Sequence, residues 1–209
     1  MAPPRKHETD VILDATRALV LADGPRAASV AAIAKASGAP AGTLYHRFGN
    51  RDGVVIAAWL RALERFQERA LAAAADPGCE TALQSATAMA VAAISFAREL
   101  ADDARLLLTV RPGDLIDGQP DAAFGETLAT MNAPLAARVR ALAEDLYATS
   151  DPRAVDAVNR AVSDLPYAVV RRHAYDDPLP DWLEADVAAA AGAVLDSYAG
   201  TRGGGSNGS

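Results

Sequence analysis

The chain has 209 residues but only one cysteine, Cys79, and three histidines. A single thiol closes no internal disulfide and builds no cysteine-based metal site. His7, His46 and His173 stand far apart, so no histidine cluster for a metal is visible. β-Branched residues are sparse against the abundant alanine, which favours helix over sheet. No run approaches the roughly 20 uninterrupted apolar residues of a membrane span, and the alanine-rich stretches carry acidic rather than basic polar faces, unlike surface-bound amphipathic helices. The opening Met1-Ala-Pro-Pro-Arg-Lys-His has no apolar core behind its charges, so no signal peptide is read there and a cytoplasmic compartment is expected. Neither a phosphate-cradling glycine loop nor a nucleophile–base pair stands out, so no catalytic residue and no cofactor is expected.

What remains is a helical globular composition, half apolar and 22% charged. The formal charge of −7 is unevenly spread. Residues 1–60 hold seven basic and five acidic residues, and residues 61–209 hold 13 basic and 22 acidic ones. A polyanion is attracted mildly by the first part and repelled by the second.

Apolar spacing and stop signals predict helices over 8–22, 30–37, 40–48 (or from 41), 51–74, 78–100, 102–109, 121–148, 152–173 and 181–199. Asp76-Pro77 and Asp151-Pro152 each pair a capping Asp with a proline at the first helical position. Asp181 and Glu184 have the form of a capping box. Residues 1–7 read as a flexible arm, Arg111–Pro120 as the longest internal loop, and residues 201–209 as a flexible Gly/Ser tail. The expected fold is all-α: a helix-turn-helix domain over 1–50, then a helical ligand-binding and dimerisation domain over 51–200.

The stretch Ser37–Asp52, SGAPAGTLYHRFGNRD, breaks the alanine-rich pattern. Two short helices joined at Gly38, after a longer supporting helix, make a helix-turn-helix. Ala34 allows close crossing, and Leu44 falls on the buried face with Phe48 four residues on. The outward face then supplies Thr43, Tyr45, His46 and Arg47, and Arg51 follows at the start of the next helix. Such side chains suit phosphate and base-edge contacts.

From Ile12 to Trp59 the chain resembles the N-terminal domain of TetR-family transcriptional regulators. The resemblance rests on Ile33-Ala34, Ser37-Gly38, Gly42-Thr43-Leu44-Tyr45-His46, Phe48 and Arg51-Asp52, and covers about a quarter of the chain. It implies a homodimer whose paired recognition helices grip a palindromic operator in double-stranded DNA, with release when a small molecule enters the regulatory domain. Pro40, Ala41 and Gly53 depart from the family's pattern, since polar residues are common at the first two and a helix former at the third.

The regulatory part is less informative. Trp59, Phe66, Met89, Phe96, Phe124, Met131, Tyr167 and Trp182 could line a ligand cavity, with Arg111 and His173 as polar groups, yet the same residue types at helical spacing also build plain core. For dimerisation the small-residue faces of the last two helices are the candidates: Ala154, Val158, Ala161 and Val162, then Ala185, Ala188, Ala189, Gly192 and Leu195. The alternative is that these faces pack within one chain. For function, the alternative to a DNA-binding repressor is a regulator-like all-α protein that binds ligand or partner without an operator.

Overall fold

The computed structural model describes residues 5–111, 113 and 122–203. Among these no strand occurs. The helices are α1 (Arg5–Asp23), α2 (Val30–Ser37), α3 (Ala41–Phe48), α4 (Arg51–Ala74), α5 (Ala82–Glu99), α6 (Ala101–Thr109), α7 (Ala122–Tyr147), α8 (Pro152–Asn159), α9 (Leu165–Arg172) and α10 (Leu183–Gly203). A 3₁₀ turn (Pro25–Ala27) precedes α2, and a π-helical turn (Arg160–Asp164) joins α8 to α9. The all-α expectation holds, and α2 and α4 begin and end where their caps predict. No helix among the described residues is long and apolar enough to cross a membrane, and they contain no group of His, Cys, Asp or Glu that could hold a metal.

Several boundaries differ for local reasons. Helix α1 begins at Arg5, so part of the expected arm is helical. Of the two Asp-Pro signals only one caps a helix. The Asp151 carboxylate accepts from the amides of Arg153 (3.0 Å) and Ala154 (2.9 Å). Asp76 instead accepts from Gly78, at 2.7 Å, in a turn. Helix α5 then starts at a reciprocal box: the Gln84 amide donates to Thr81 Oγ1 (3.2 Å), and Gln84 Oε1 accepts from the amides of Glu80 (2.7 Å) and Thr81 (3.0 Å). That box satisfies three amides at the helix start. Glu184, expected in a box with Asp181, turns to Arg98 and Ser95 on α5. Residues 201–203, expected in the tail, continue α10. The expected loop lies outside the described residues except for Arg111 and Gly113.

The π turn has a sequence cause. Pro166 lacks the N–H that would bond four residues back, and its ring would strike that carbonyl. The Leu165 amide instead reaches the Arg160 carbonyl, five residues back, so the helix absorbs one extra residue and continues.

Two compact units emerge: residues 1–65 with 100–127, and residues 66–99 with 128–209. In the first, α1 packs on α2, on the 3₁₀ turn and on α6, and α2 packs on α3. Its core holds Ile12, Ile33, Leu44, Val54, Val55 and Leu106, each 1% exposed or less. In the second, α5 packs on α10, on the π turn and on α9, around Ile94, Leu142, Val158, Leu183 and Leu195.

Helix α6 belongs to the first unit because of a buried carboxylate. Asp103, with a side chain 1% exposed, is bonded by Arg17 of α1 and by Arg65 of α4, the latter at 2.8 Å. Trp59 Nε1 also donates to the Val110 carbonyl at 3.1 Å, just past α6. Burial pushes the Asp103 carboxyl up, but the hydrogen bonds from Arg65 and Arg17 and their charges outweigh it and hold the group below its ordinary value.

The sign of the resulting pH dependence follows from linkage. The unfolded chain takes up this proton first, so the stabilisation is complete above the unfolded value near ~3.9 and is lost as pH falls through the folded one. Asp103→Asn leaves two guanidinium groups without their carboxylate and is expected to cost about 3 kcal/mol at neutral pH. The gap from wild type should narrow below about pH 4. Urea melts at neutral and acid pH measure both, and an undiminished gap at acid pH would refute the assignment.

Candidate nucleic-acid interface

The local sequence explains how the candidate surface is built. The Ser29 hydroxyl caps α2 by accepting from the Ala32 amide at 3.1 Å. At the other end Ser37 Oγ donates to the Ile33 carbonyl (2.7 Å) and accepts from the Ala39 amide (3.2 Å), which ties the turn to the helix it leaves. Gly38 sits there at φ 73°, ψ 3°, a left-handed conformation that a side chain would strain.

Helix α3 then starts without a side-chain cap. Pro40 occupies the cap position, and its carbonyl accepts from the Thr43 amide at 2.9 Å. Leu44 is 1% exposed and sets the depth of the helix. On the other side Tyr45 is 55% exposed, and His46, Ala41 and Gly42 are exposed as well. Thr43 is half-buried at the edge of this surface.

Two expected DNA contacts, Arg47 of the outward face and Arg51 at the start of α4, are engaged within the chain instead. Arg47 donates to Glu8 Oε2 (2.5 Å) and Thr9 Oγ1 (2.8 Å), both on α1. Arg51 donates to the carbonyls of Pro25 and Ala28, the latter at 3.4 Å, and pairs with Asp52. It braces the link between α1 and α2. Apart from Asp52, these partners lie 23 to 39 residues away in sequence, beyond any helical periodicity. The acidic first turn of α1 was the signal available for Glu8.

Gly53, odd as a sequence choice, has a steric reason. Asn50 closes the α3–α4 corner by accepting from the Gly53 amide at 2.8 Å. A Cβ on Gly53 would lie 2.0 Å from the Phe48 carbonyl oxygen, at the last residue of α3.

The other candidates divide sharply. Ala154, Val158 and Ala161 are fully buried, and Leu195 and Val162 are 1% and 3% exposed, all within a single chain. They form the core of the second unit and are not available to a partner, a correction with a simple cause: α8 and the π turn pack on α10, and the π turn and α10 pack on α5. Ala185 and Ala189 are exposed, with Ala188 and Gly192 half-buried. Among ligand candidates, Trp59 and Phe124 lie in the first unit and Phe66, Met89, Phe96, Met131 and Tyr167 in the second. Met89 and Phe96 are buried, and the Phe66 and Phe96 rings meet edge to face at 5.5 Å. Met131 is half-buried. Tyr167 and Trp182 are 48% and 55% exposed, so neither lines an interior cavity within its unit. Arg111 is exposed. His173 pairs with Asp176 at 2.7 Å.

A short helix seated by one leucine across a glycine turn, with Tyr45 and His46 outward, defines a helix-turn-helix of the DNA-binding class. Residues 12–58 match the family model described as bacterial regulatory proteins, tetR family. Solved structures agree over nearly the whole chain. A putative transcriptional regulator from Pseudomonas aeruginosa PAO1 has a TM-score of 0.74 at 20% identity, covering 94% of this chain and 92% of its own. A TetR-like transcriptional regulator from Rhodococcus sp. RHA1 has 0.67 at 19%, covering 93% and 96%. The transcriptional regulator FadR from Bacillus subtilis, solved in complex with stearoyl-CoA, has 0.63 at 17%, covering 90% and 95%. No curated protein matches the chain. Residues 12–58 therefore form a TetR-family helix-turn-helix domain, and the chain has the TetR-like all-α fold.

Gly53→Ala is expected to destabilise the protein by about 1–3 kcal/mol, because the added methyl must displace backbone rather than a flexible side chain. Thermal melting of the variant tests this; an unchanged midpoint would show that the corner relaxes freely.

Proposed function

We propose that this protein is a ligand-responsive transcriptional regulator, a repressor that grips a palindromic operator as a homodimer and lets go when a small molecule binds. The observation that carries the reading is the presentation of Tyr45 and His46 on a helix whose opposite side is anchored by Leu44. A recognition helix needs that arrangement to enter a groove at fixed depth. Thr43, at the edge of the same surface, adds a hydroxyl within reach of a phosphate.

A palindrome is read by two such helices, so the reading calls for a second copy of the chain. The outer face of α10, with Ala185 and Ala189 exposed, supports close helix packing across a two-fold axis. The inward residues of α8 and of the π turn do not contribute to it. For the effector, the stearoyl-CoA held by the B. subtilis FadR neighbour supports an amphipathic small molecule.

On duplex DNA from upstream of its own gene, fluorescence anisotropy should show binding tighter than to random duplex, with affinity falling steeply as salt rises. Equal affinity for both duplexes would favour the alternative, a regulator-like protein that binds ligand or partner without an operator. Tyr45→Ala should weaken binding to every duplex by about tenfold without changing sequence preference, as loss of a phosphate contact does. In solution, light scattering should give a mass near twice that of the 209-residue chain.

A further inference from the structure

Helix α3 is eight residues long and has no side-chain cap at its start. A helix this short does not hold its shape in water on its own, so its pose comes from tertiary contacts. Leu44 fixes its depth, but a single fully buried side chain constrains roll about the helix axis only weakly. Roll decides where Tyr45 and His46 point. A directional contact away from the leucine would set it.

Arg47 supplies that contact. Its guanidinium spans two acceptors on α1, Glu8 Oε2 at 2.5 Å and Thr9 Oγ1 at 2.8 Å. The planar fork of a guanidinium fixes direction as well as distance. Helix α1 is itself held firmly. Arg61 of α4 donates to the Asp10 carbonyl and carboxylate, both at 3.2 Å, and to Asp14 at 2.6 Å. Arg17 anchors the far end of α1 to the buried Asp103. Three acidic side chains of α1 thus hold arginines from α3 and α4, and α1 acts as a fixed rail against which α3 is set.

The geometry points to Arg47 as a positioning residue for DNA recognition: together with Glu8 and Thr9 it fixes the roll of the reading helix, and it does not itself contact phosphate. This inference rests on the DNA-binding reading of α3 and assigns roles within it.

The test uses the full chain and a fluorescein-labelled duplex from upstream of the gene, titrated at several salt concentrations, with hydrogen exchange of the α3 amides in the free protein alongside. Wild type is compared with Arg47→Gln, Glu8→Ala and the charge swap Glu8→Arg/Arg47→Glu. The expected result is a loss of about tenfold in affinity for either single variant, with the slope of log K against log salt unchanged. Losing a phosphate contact would instead reduce that slope by about 0.9. Protection of α3 should fall in both single variants, and the swap should restore both protection and affinity. Glu8 is exposed enough, at 55% of its side chain, that its replacement leaves the fold intact. A reduced slope in Arg47→Gln with no effect of Glu8→Ala would overturn the inference and make Arg47 a phosphate contact. Unchanged α3 protection in Arg47→Gln would overturn it without reference to DNA. Absence of duplex binding by wild type would instead sink the functional reading, and the exchange data would still decide the role of Arg47.

Discussion

The first unit depends on one buried carboxylate. Withdrawing Asp103 from water costs several kcal/mol in isolation, and the cost is offset because Arg17 and Arg65 arrive from two other helices. Without them the group would take up a proton or the helices would part. With them, α6 is bound to α1 and α4 although 86 and 38 residues separate the partners. The arrangement is demanding, since Nε of Arg17 and of Arg61 are buried without a hydrogen-bond partner. A network so placed defines one arrangement of helices more sharply than apolar contacts alone would.

Helix α1 inherits its importance from that network. Its apolar face, with Ile12 and Leu13 buried, packs inward as its periodicity demands. Its polar face carries Glu8, Asp10, Asp14 and Arg17, every one of them in an ion pair. Surface ion pairs add little singly, but these join α1 to three other helices, and those of Asp14 and Arg17 connect to the buried Asp103. The reading helix is thereby linked through Arg47 to a frame instead of resting on Leu44 alone.

The second unit shows the opposite economy. Its helices are rich in alanine, and the small faces of α8 and the π turn lie fully buried against their own chain. Small residues permit close approach without naming the partner. An alanine stripe is therefore equally suited to a neighbouring helix and to a second copy. Pro166 adds a local constraint, diverting one turn to π geometry while the helix continues.

Much of this protein was legible in the residue order because the forces involved are local. Ser29, Gly38, Asn50 and Asp151 mark helix ends through hydrogen bonds or dihedral angles within a few positions, and the spacing of Ile33 and Leu44 marks the buried side of the helix-turn-helix. The run around Tyr45 and His46 likewise announced an outward polar face. What sequence could not supply was pairing at a distance. Arg47 and Arg51 read as exposed cations until Glu8, Thr9 and the Pro25 and Ala28 carbonyls came within reach. Gly53 read as a weak helix start until the Phe48 carbonyl occupied the space of its side chain. The choice among the small faces of α8 and α10 rested on which helix lay opposite. Local propensity and caps determined the elements and the character of the reading helix. Only the folded chain decided which charges met, because Coulomb and steric contacts depend on separation in space and not along the chain.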